Sequence, residues 1–269
     1  MKRVQEFGRQ IVASRVYTTL IALALGILLV LNYQGQQRPA PAVHASQLET
    51  VALNSVIKPP NRLGQRHINC QAVACLALTF DDGPNEASTP RIVDILAQED
   101  ARGTFFIIGS RVAGQEALLR RMYVLGDELG NHSWSHPNFS KLNAAQMKDQ
   151  VAQAEAAITA AGVPAPQLFR PPYGEVSQTM LATLKLPIIL WNIDPQDWQS
   201  KDPLQIIHDV ESQVHPGAIV ILHDSLPITA TAIPQLVHEL RAKYELVTVS
   251  QLLGLGPDSR GEFFGHPPK

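Results

Sequence analysis

Five short segments of this chain carry side chains whose types and spacing suit chemistry. Thr79-Phe80-Asp81-Asp82-Gly83-Pro84 sets two carboxylates side by side behind an apolar run. One of them could hold a cation while the other stays free as a base. His132-Ser133-Trp134-Ser135-His136 has two imidazoles four residues apart, and on a helical turn that spacing brings both to one side, where they can share a metal. One aspartate and two histidines make a three-ligand site with open positions, as a catalytic metal needs; the same set suits a non-haem iron oxygenase. Arg170-Pro171-Pro172-Tyr173-Gly174 offers a guanidinium on a stiff loop, and Asp194-Pro195-Gln196-Asp197-Trp198 an acidic turn with an aromatic face. Ile219-Val220-Ile221-Leu222-His223-Asp224 ends an apolar run in a titratable histidine. Each segment alone also has a plain reading. Asp-Gly and Gly-Pro form turns, a histidine pair is commonly just solvated, and a strand-end histidine is commonly just packed.

The elements that must position these groups alternate. Cys75 to Phe80, Thr104 to Ile108, Leu186 to Trp191 and Ala218 to Leu222 read as buried strands. Between them lie helical patterns at Pro90 to Gln98, Gln115 to Glu128, Ala144 to Ala161, Pro203 to Ser212 and Ala232 to Tyr244. In the third of these, Met147, Val151, Ala154, Ile158 and Ala161 form one apolar face, with Asn143 placed to cap it and Gly162 to end it. Such alternation argues for a mostly parallel sheet with helices outside it. The tail after Leu255 is polar and rich in Gly and Pro and reads as loop. Cys70 and Cys75 would stand roughly 16 Å apart in one extended strand. A disulfide between them therefore requires a turn at Gln71 to Ala74; two free thiols are the alternative.

Together and in this order, the five segments resemble those of the NodB-homology polysaccharide deacetylases, carbohydrate esterase family 4, over roughly Ala72 to Leu253. The resemblance implies a fold and a set of roles. The fold is an α/β protein, a distorted (β/α) barrel of about seven strands forming one catalytic domain. Asp82, His132 and His136 bind one divalent ion, zinc ahead of cobalt or nickel. Asp81 is the general base, oriented by Arg170. Tyr173 offers a backbone N–H to the oxyanion, and His223 is the general acid supported by Asp197, with Asp194 as the alternative support. Trp198 and Leu222 wall the pocket for the acetyl methyl. The implied activity removes N-acetyl groups from N-acetylglucosamine residues of a polysaccharide, peptidoglycan first. Chitooligosaccharides and O-acetyl xylan are the next substrates, and a glycan-binding protein without catalysis is a remote alternative.

Composition limits the remaining choices. The 269 residues are 45% hydrophobic and 17% charged, which excludes a wholly disordered chain. A formal charge of -2 gives no bulk electrostatic case for nucleic-acid binding. Two cysteines cannot form the framework of a small disulfide-stapled module. Lys2, Arg3, Arg9 and Arg15 precede an uncharged run from Val16 to Gln37, a pattern that orients the N-terminus to the cytoplasm. Residues 1–37 therefore read as a signal anchor or a cleaved signal peptide, residues 38–66 as a Pro-interrupted tether, 67–255 as the catalytic domain and 256–269 as a tail. Either reading of the N-terminus places the catalytic part outside the cytoplasm, membrane-anchored or secreted.

Overall fold

The computed structural model describes residues 68–265. The expected anchor over 1–37 and tether over 38–66 lie outside the described residues. Strand β1 (Cys75–Gly83) is the centre of the fold. It pairs in parallel with β2 (Gly103–Ile107) on one side and with β5 (Ile219–His223) on the other. Strand β3 (Glu128–Asn131) continues the sheet beyond β2, and β6 (Glu245–Leu246) adds to the first residues of β1. A separate parallel pair joins β4 (Ile188–Ile189) to β7 (Glu262–Phe263). Single parallel bridges, Asn131 to Phe169, Phe169 to Ile188 and Ile193 to Val220, carry the arrangement from β3 round towards β5. The result is a distorted barrel, with regular ladders on one side and isolated bridges on the other.

The alternation of side chains along β1 decides which residues can reach a site. Leu76, Leu78 and Phe80 enter the large core shared with the helices. Cys75 and Ala77 join a second cluster that includes Phe106, Leu168, Ile189 and Ile219. Successive strand residues point to opposite faces, so Thr79 and Asp81 continue the side of Cys75 and Ala77.

The helices follow their start and stop signals. Helix α1 spans Thr89–Gln98 with Pro90 in its first turn. Helix α2 (Glu116–Leu125) stops earlier than the expected Glu128, because Gly126 takes the left-handed conformation (φ 97°) that terminates a helix, and Glu128 opens β3 instead. That strand was not expected, since Glu-Leu-Gly-Asn lacks the β-branched and aromatic residues that mark one. Helix α3 (Ala144–Ala160) matches its pattern: Asn143 and Gln146 form a reciprocal capping box, and Met147, Val151, Ala154 and Ile158 are buried. A box of this kind is typically worth ~1 kcal/mol. The short α4 (Gln178–Thr183) precedes β4, and α5 (Pro203–Glu211) is capped by Asp202. Helix α6 (Pro227–Arg241) begins ahead of the expected Ala232 because Pro227 suits a first turn, and α7 spans Val249–Leu253. Only Ile188–Ile189 of the expected strand over Leu186 to Trp191 is regular, and the expected loop tail supplies β7 beside it.

Cys70 and Cys75 are bonded, with Cα atoms 5.4 Å apart. The necessary turn is built on Asn69, whose carbonyl accepts from the Ala72 and Val73 amides and whose Oδ1 accepts from Gln71 N–H. Among the described residues no helix is long and apolar enough to cross a membrane.

Candidate active site

Adjacent strand residues should face opposite ways, yet Asp81 and Asp82 serve one cleft. A bulge at the end of β1 explains this. Asp81 pairs with Phe106 and Gly83 with Ile107, so Asp82 is the extra residue, and its φ is 71°. A bulge re-aims a side chain at a strand end. Here it turns the Asp82 carboxylate towards the loop that follows β3. Arg111 donates from Nη1 to the Asp82 carbonyl and holds that backbone from outside.

His132 and His136 lie on that loop. The expectation of a helical turn is corrected: Ser133 and His136 both have positive φ (69° and 57°), and no helix forms between the two imidazoles. The loop is shaped by side chains instead. Asn131 Oδ1 accepts from Ser133 N–H, Gln150 Oε1 on α3 accepts from the Trp134 and Ser135 amides, and Ser133 Oγ accepts from His136 N–H. His132 Nδ1 lies 2.7 Å from the Arg170 carbonyl. A carbonyl only accepts, so Nδ1 carries the proton and Nε2 presents its lone pair to the cleft. Asp82 Oδ1 then stands 3.5 Å from His132 Nε2 and 3.3 Å from His136 Nε2.

This cluster fits a divalent cation. One ligand atom each from Asp82, His132 and His136 lie within 4.8 Å of one another. Asp82 Oδ1 is buried and makes no hydrogen bond, an arrangement that leaves its lone pairs for an ion. Burial works against charge on Asp82, but contact with His132 and the positive charges that His132, His136 and His223 carry in the acidic range where this carboxyl titrates outweigh it and hold the carboxyl at about 2. His136 is lowered by burial and by neighbouring His132, which keeps its imidazole neutral and able to ligate.

Asp81 has different partners. Its Oδ1 receives Arg170 Nη1 at 2.7 Å, and the same Nη1 reaches Thr79 Oγ1 at 2.7 Å. Arg170 also donates from Nε to the Ile189 carbonyl and from Nη2 to the Leu190 carbonyl, both at 3.1 Å. Its guanidinium carbon sits 4.1 Å over the Phe106 ring. Burial lowers the Arg170 pKa from its ordinary value, and the pairing with Asp81 opposes that. A fully buried cation hydrogen-bonded through all three of its nitrogens makes a rigid brace for Asp81.

His223, at the end of β5, stands beside Asp81, its register partner on β1. Its Nδ1 is 2.7 Å from Asp197 Oδ1, and its backbone N–H donates to Asp197 Oδ2 at 2.8 Å. Burial disfavours its charged form. The hydrogen bond and charge of Asp197, with Asp81 and Asp82 further off, win and raise it to about 9. Asp194, the alternative support, instead accepts from Gln196 N–H and lines the cleft.

These groups face one cleft of about 560 Å³. Tyr173 sits at its edge in a strained conformation (φ 64°), with its ring 4.8 Å from that of His136. Trp198 lines the cleft and is 58% exposed. Leu222 does not line it, which corrects the expectation: it is fully buried in the helix-facing core. On a strand ending at His223, the neighbour sharing its face is two residues back, at Ile221. Ile221, Leu226 and Trp191 supply the apolar wall. The two-residue period could have found Ile221; Leu226 and Trp191 lie on irregular backbone and give no such signal. Asp224 was also passed over. It is fully buried, accepts from Thr89 Oγ1 at 2.5 Å, and is pushed up to about 7 by burial.

Comparison with known proteins gives a consistent picture. Residues 69–186 match the model of a family described as polysaccharide deacetylase. The chain is 38% identical over 178 residues to a peptidoglycan-N-acetylmuramic acid deacetylase of Bacillus subtilis, covering 66% of this chain and 38% of that protein. It thus spans well under half the length of that relative. It is 43% identical over 154 residues to a chitooligosaccharide deacetylase of Bradyrhizobium, covering 56% of this chain and 70% of the relative. Among solved structures, a family 4 acetyl xylan esterase from Clostridium thermocellum, in complex with a cobalt ion, superposes with a TM-score of 0.67. The two are 32% identical over 72% of this chain and 99% of the esterase.

Proposed function

The chain belongs to the polysaccharide deacetylase family, and from that premise we propose that it removes N-acetyl groups from N-acetylglucosamine residues of a polysaccharide outside the cytoplasm. Peptidoglycan is the first substrate, ahead of chitooligosaccharides and O-acetyl xylan. The observation that carries this reading is the shared cleft: a cation-fitting Asp82–His132–His136 cluster, a braced Asp81 and a carboxylate-backed His223 all open into it.

Asp82, His132 and His136 would hold one divalent ion, zinc by our assignment, with cobalt or nickel as alternatives. When bound, such an ion lowers the pKa of a coordinated water and polarises a carbonyl. Asp81 Oδ1 is tied to Arg170, which leaves Oδ2 to take the proton of the water that attacks the acetyl carbon. Tyr173 turns a backbone N–H to the oxyanion that develops there; one such donor is typically worth ~10²–10³ in rate. As the C–N bond breaks, His223 gives its proton to the departing nitrogen, because an amine leaves poorly as an anion. Asp197 keeps that imidazole protonated and aimed. Ile221, Leu226 and Trp191 receive the acetyl methyl, and Trp198 offers an exposed face to the sugar. The products are acetate and a free glucosamine amine. The apolar N-terminal run behind basic residues supports an anchored or exported enzyme.

The test is acetate release by the purified full-length chain from peptidoglycan glycan strands, chitopentaose and acetylated xylan. The proposal expects acetate from the first two. Acetate from xylan alone would replace the amide assignment by an ester one, and none from any substrate would overturn the reading.

A further inference from the structure

Asp197 makes one contact that the proposed acid does not account for. The Thr229 hydroxyl donates to Asp197 Oδ2 at 2.5 Å. Both side chains are shut away from solvent, Thr229 at 0% and Asp197 at 1% exposed. Thr229 lies in the first turn of α6, 32 residues from Asp197 in the chain. The carboxylate therefore receives His223 Nδ1 on Oδ1, and His223 N–H together with Thr229 Oγ1 on Oδ2. Both His223 bonds come from the residue that Asp197 has to orient. Thr229 supplies the contact that ties the carboxylate to a separate, rigid element.

We propose that Thr229 is a positioning residue for the acid step. Its hydroxyl fixes the rotation of the Asp197 carboxylate, so that Oδ1 holds His223 with Nε2 towards the leaving nitrogen. The inference rests on the reading of His223 as the proton donor. The physical reason is the low dielectric of the buried pair. There a carboxylate short of one donor turns to find another, and a small rotation of the carboxylate redirects the imidazole it holds. Thr229 is not needed to shape the cleft, which it does not line, and its hydroxyl bonds Asp197 rather than Asp82, His132 or His136. Its loss should therefore act on proton donation alone.

The experiment uses the full-length chain with Thr229→Val, which keeps the shape and removes the hydroxyl, with Thr229→Ala as a second hydroxyl-free variant and Thr229→Ser, which restores the hydroxyl. Each is assayed on chitopentaose, an amide that needs an acid, and on an aryl acetate, whose phenolate leaves unaided. Bound metal is measured alongside. The expected result for Val is a fall in kcat on chitopentaose of ~10–100-fold, part of what a general acid contributes. KM and metal content stay unchanged, the aryl ester rate changes less than about threefold, and Ser recovers most of the loss. Should Val not fold, Ala is expected to show the same split. Equal loss on both substrates, full activity without the hydroxyl, or no recovery by Ser would overturn the role. A parent chain that releases no acetate from any acetylated glycan would overturn the deacetylase reading itself, a result distinguishable from failure of the Thr229 role in an active parent.

Discussion

The carboxyl of Asp224 occupies the space that a side chain on Gly83 would need. A Cβ on Gly83 would meet Asp224 Oδ2 at 2.0 Å and Oδ1 at 2.5 Å. Asp224 cannot swing aside cheaply, since Thr89 Oγ1 holds one oxygen and the residue is buried on all sides. The turn carrying Asp81 and Asp82 is thus seated directly on the residue that follows His223. Two adjacent residues at the end of β5 serve different groups, His223 the cleft and Asp224 the turn behind it.

Gly83→Ala should destabilise the protein by ~1–3 kcal/mol through overpacking. The loss should shrink when Asp224→Ala is made in the same chain, because the clash has then gone. Urea unfolding of the two single variants and the double variant measures the coupling. Strictly additive effects would show that the two residues do not bear on each other.

Leu222 and Ile221 should separate stability from specificity. Leu222→Ala, in the core, should cost ~2–5 kcal/mol with KM unchanged in the folded fraction. Ile221→Ala, in the cleft wall, should cost less and should raise the rate on N-propionyl relative to N-acetyl substrates, since it makes room for one more methylene. Thermal melts and paired assays on the two acyl groups decide it. An unchanged acyl preference would remove Ile221 from the acetyl pocket.

The pH profile follows from His223. Its pKa is raised to about 9, so the acid form is present below that value and is lost as pH rises through it. Activity should therefore fall on the alkaline side. Asp197→Asn removes the carboxylate that holds the proton, so its alkaline limb should lie at lower pH by about one unit or more. A bound cation moves the limb down in both proteins, which makes their difference the quantity to measure from kcat/KM profiles. Coincident limbs would mean that another group titrates.

Asp81→Asn should leave metal content at the parent level and reduce turnover by ~10²–10⁴-fold, as expected for loss of a general base. Asp81 is braced by Arg170 and stands outside the three-residue cluster, so it should not be needed to hold the ion. Metal analysis beside the acetate assay tests this. Loss of metal in this variant would make Asp81 a ligand.

Much of this was legible in the sequence for reasons of locality. The Asn143 cap and the apolar face of α3 depend on neighbours three and four residues apart, and both are as the pattern implies; the structure adds Gln146 as the reciprocal partner of that cap. The two carboxylates, the two imidazoles and His223 suggested chemistry by residue type, and only the resemblance of the five segments together to a family's motifs gave them roles. What stayed hidden was geometry set by distant parts of the chain. The bulge that turns Asp82 depends on register with β2, and β3 forms from Glu128–Asn131 only because β2 lies beside it. The resemblance placed Leu222 in the pocket wall, but the two-residue alternation of a strand puts it on the core face and Ile221 on the cleft face. The Thr229–Asp197 and Thr89–Asp224 contacts span 32 and 135 residues, and no local pattern announces them.

The most direct test of the central claim is acetate release from chitopentaose by the full-length chain before chelation, after chelation, and after return of zinc. The cluster of Asp82, His132 and His136 predicts acetate release that the chelator abolishes and zinc restores, and that Asp82→Ala never shows. Acetate released undiminished after complete removal of the metal would contradict a metal-dependent deacetylase.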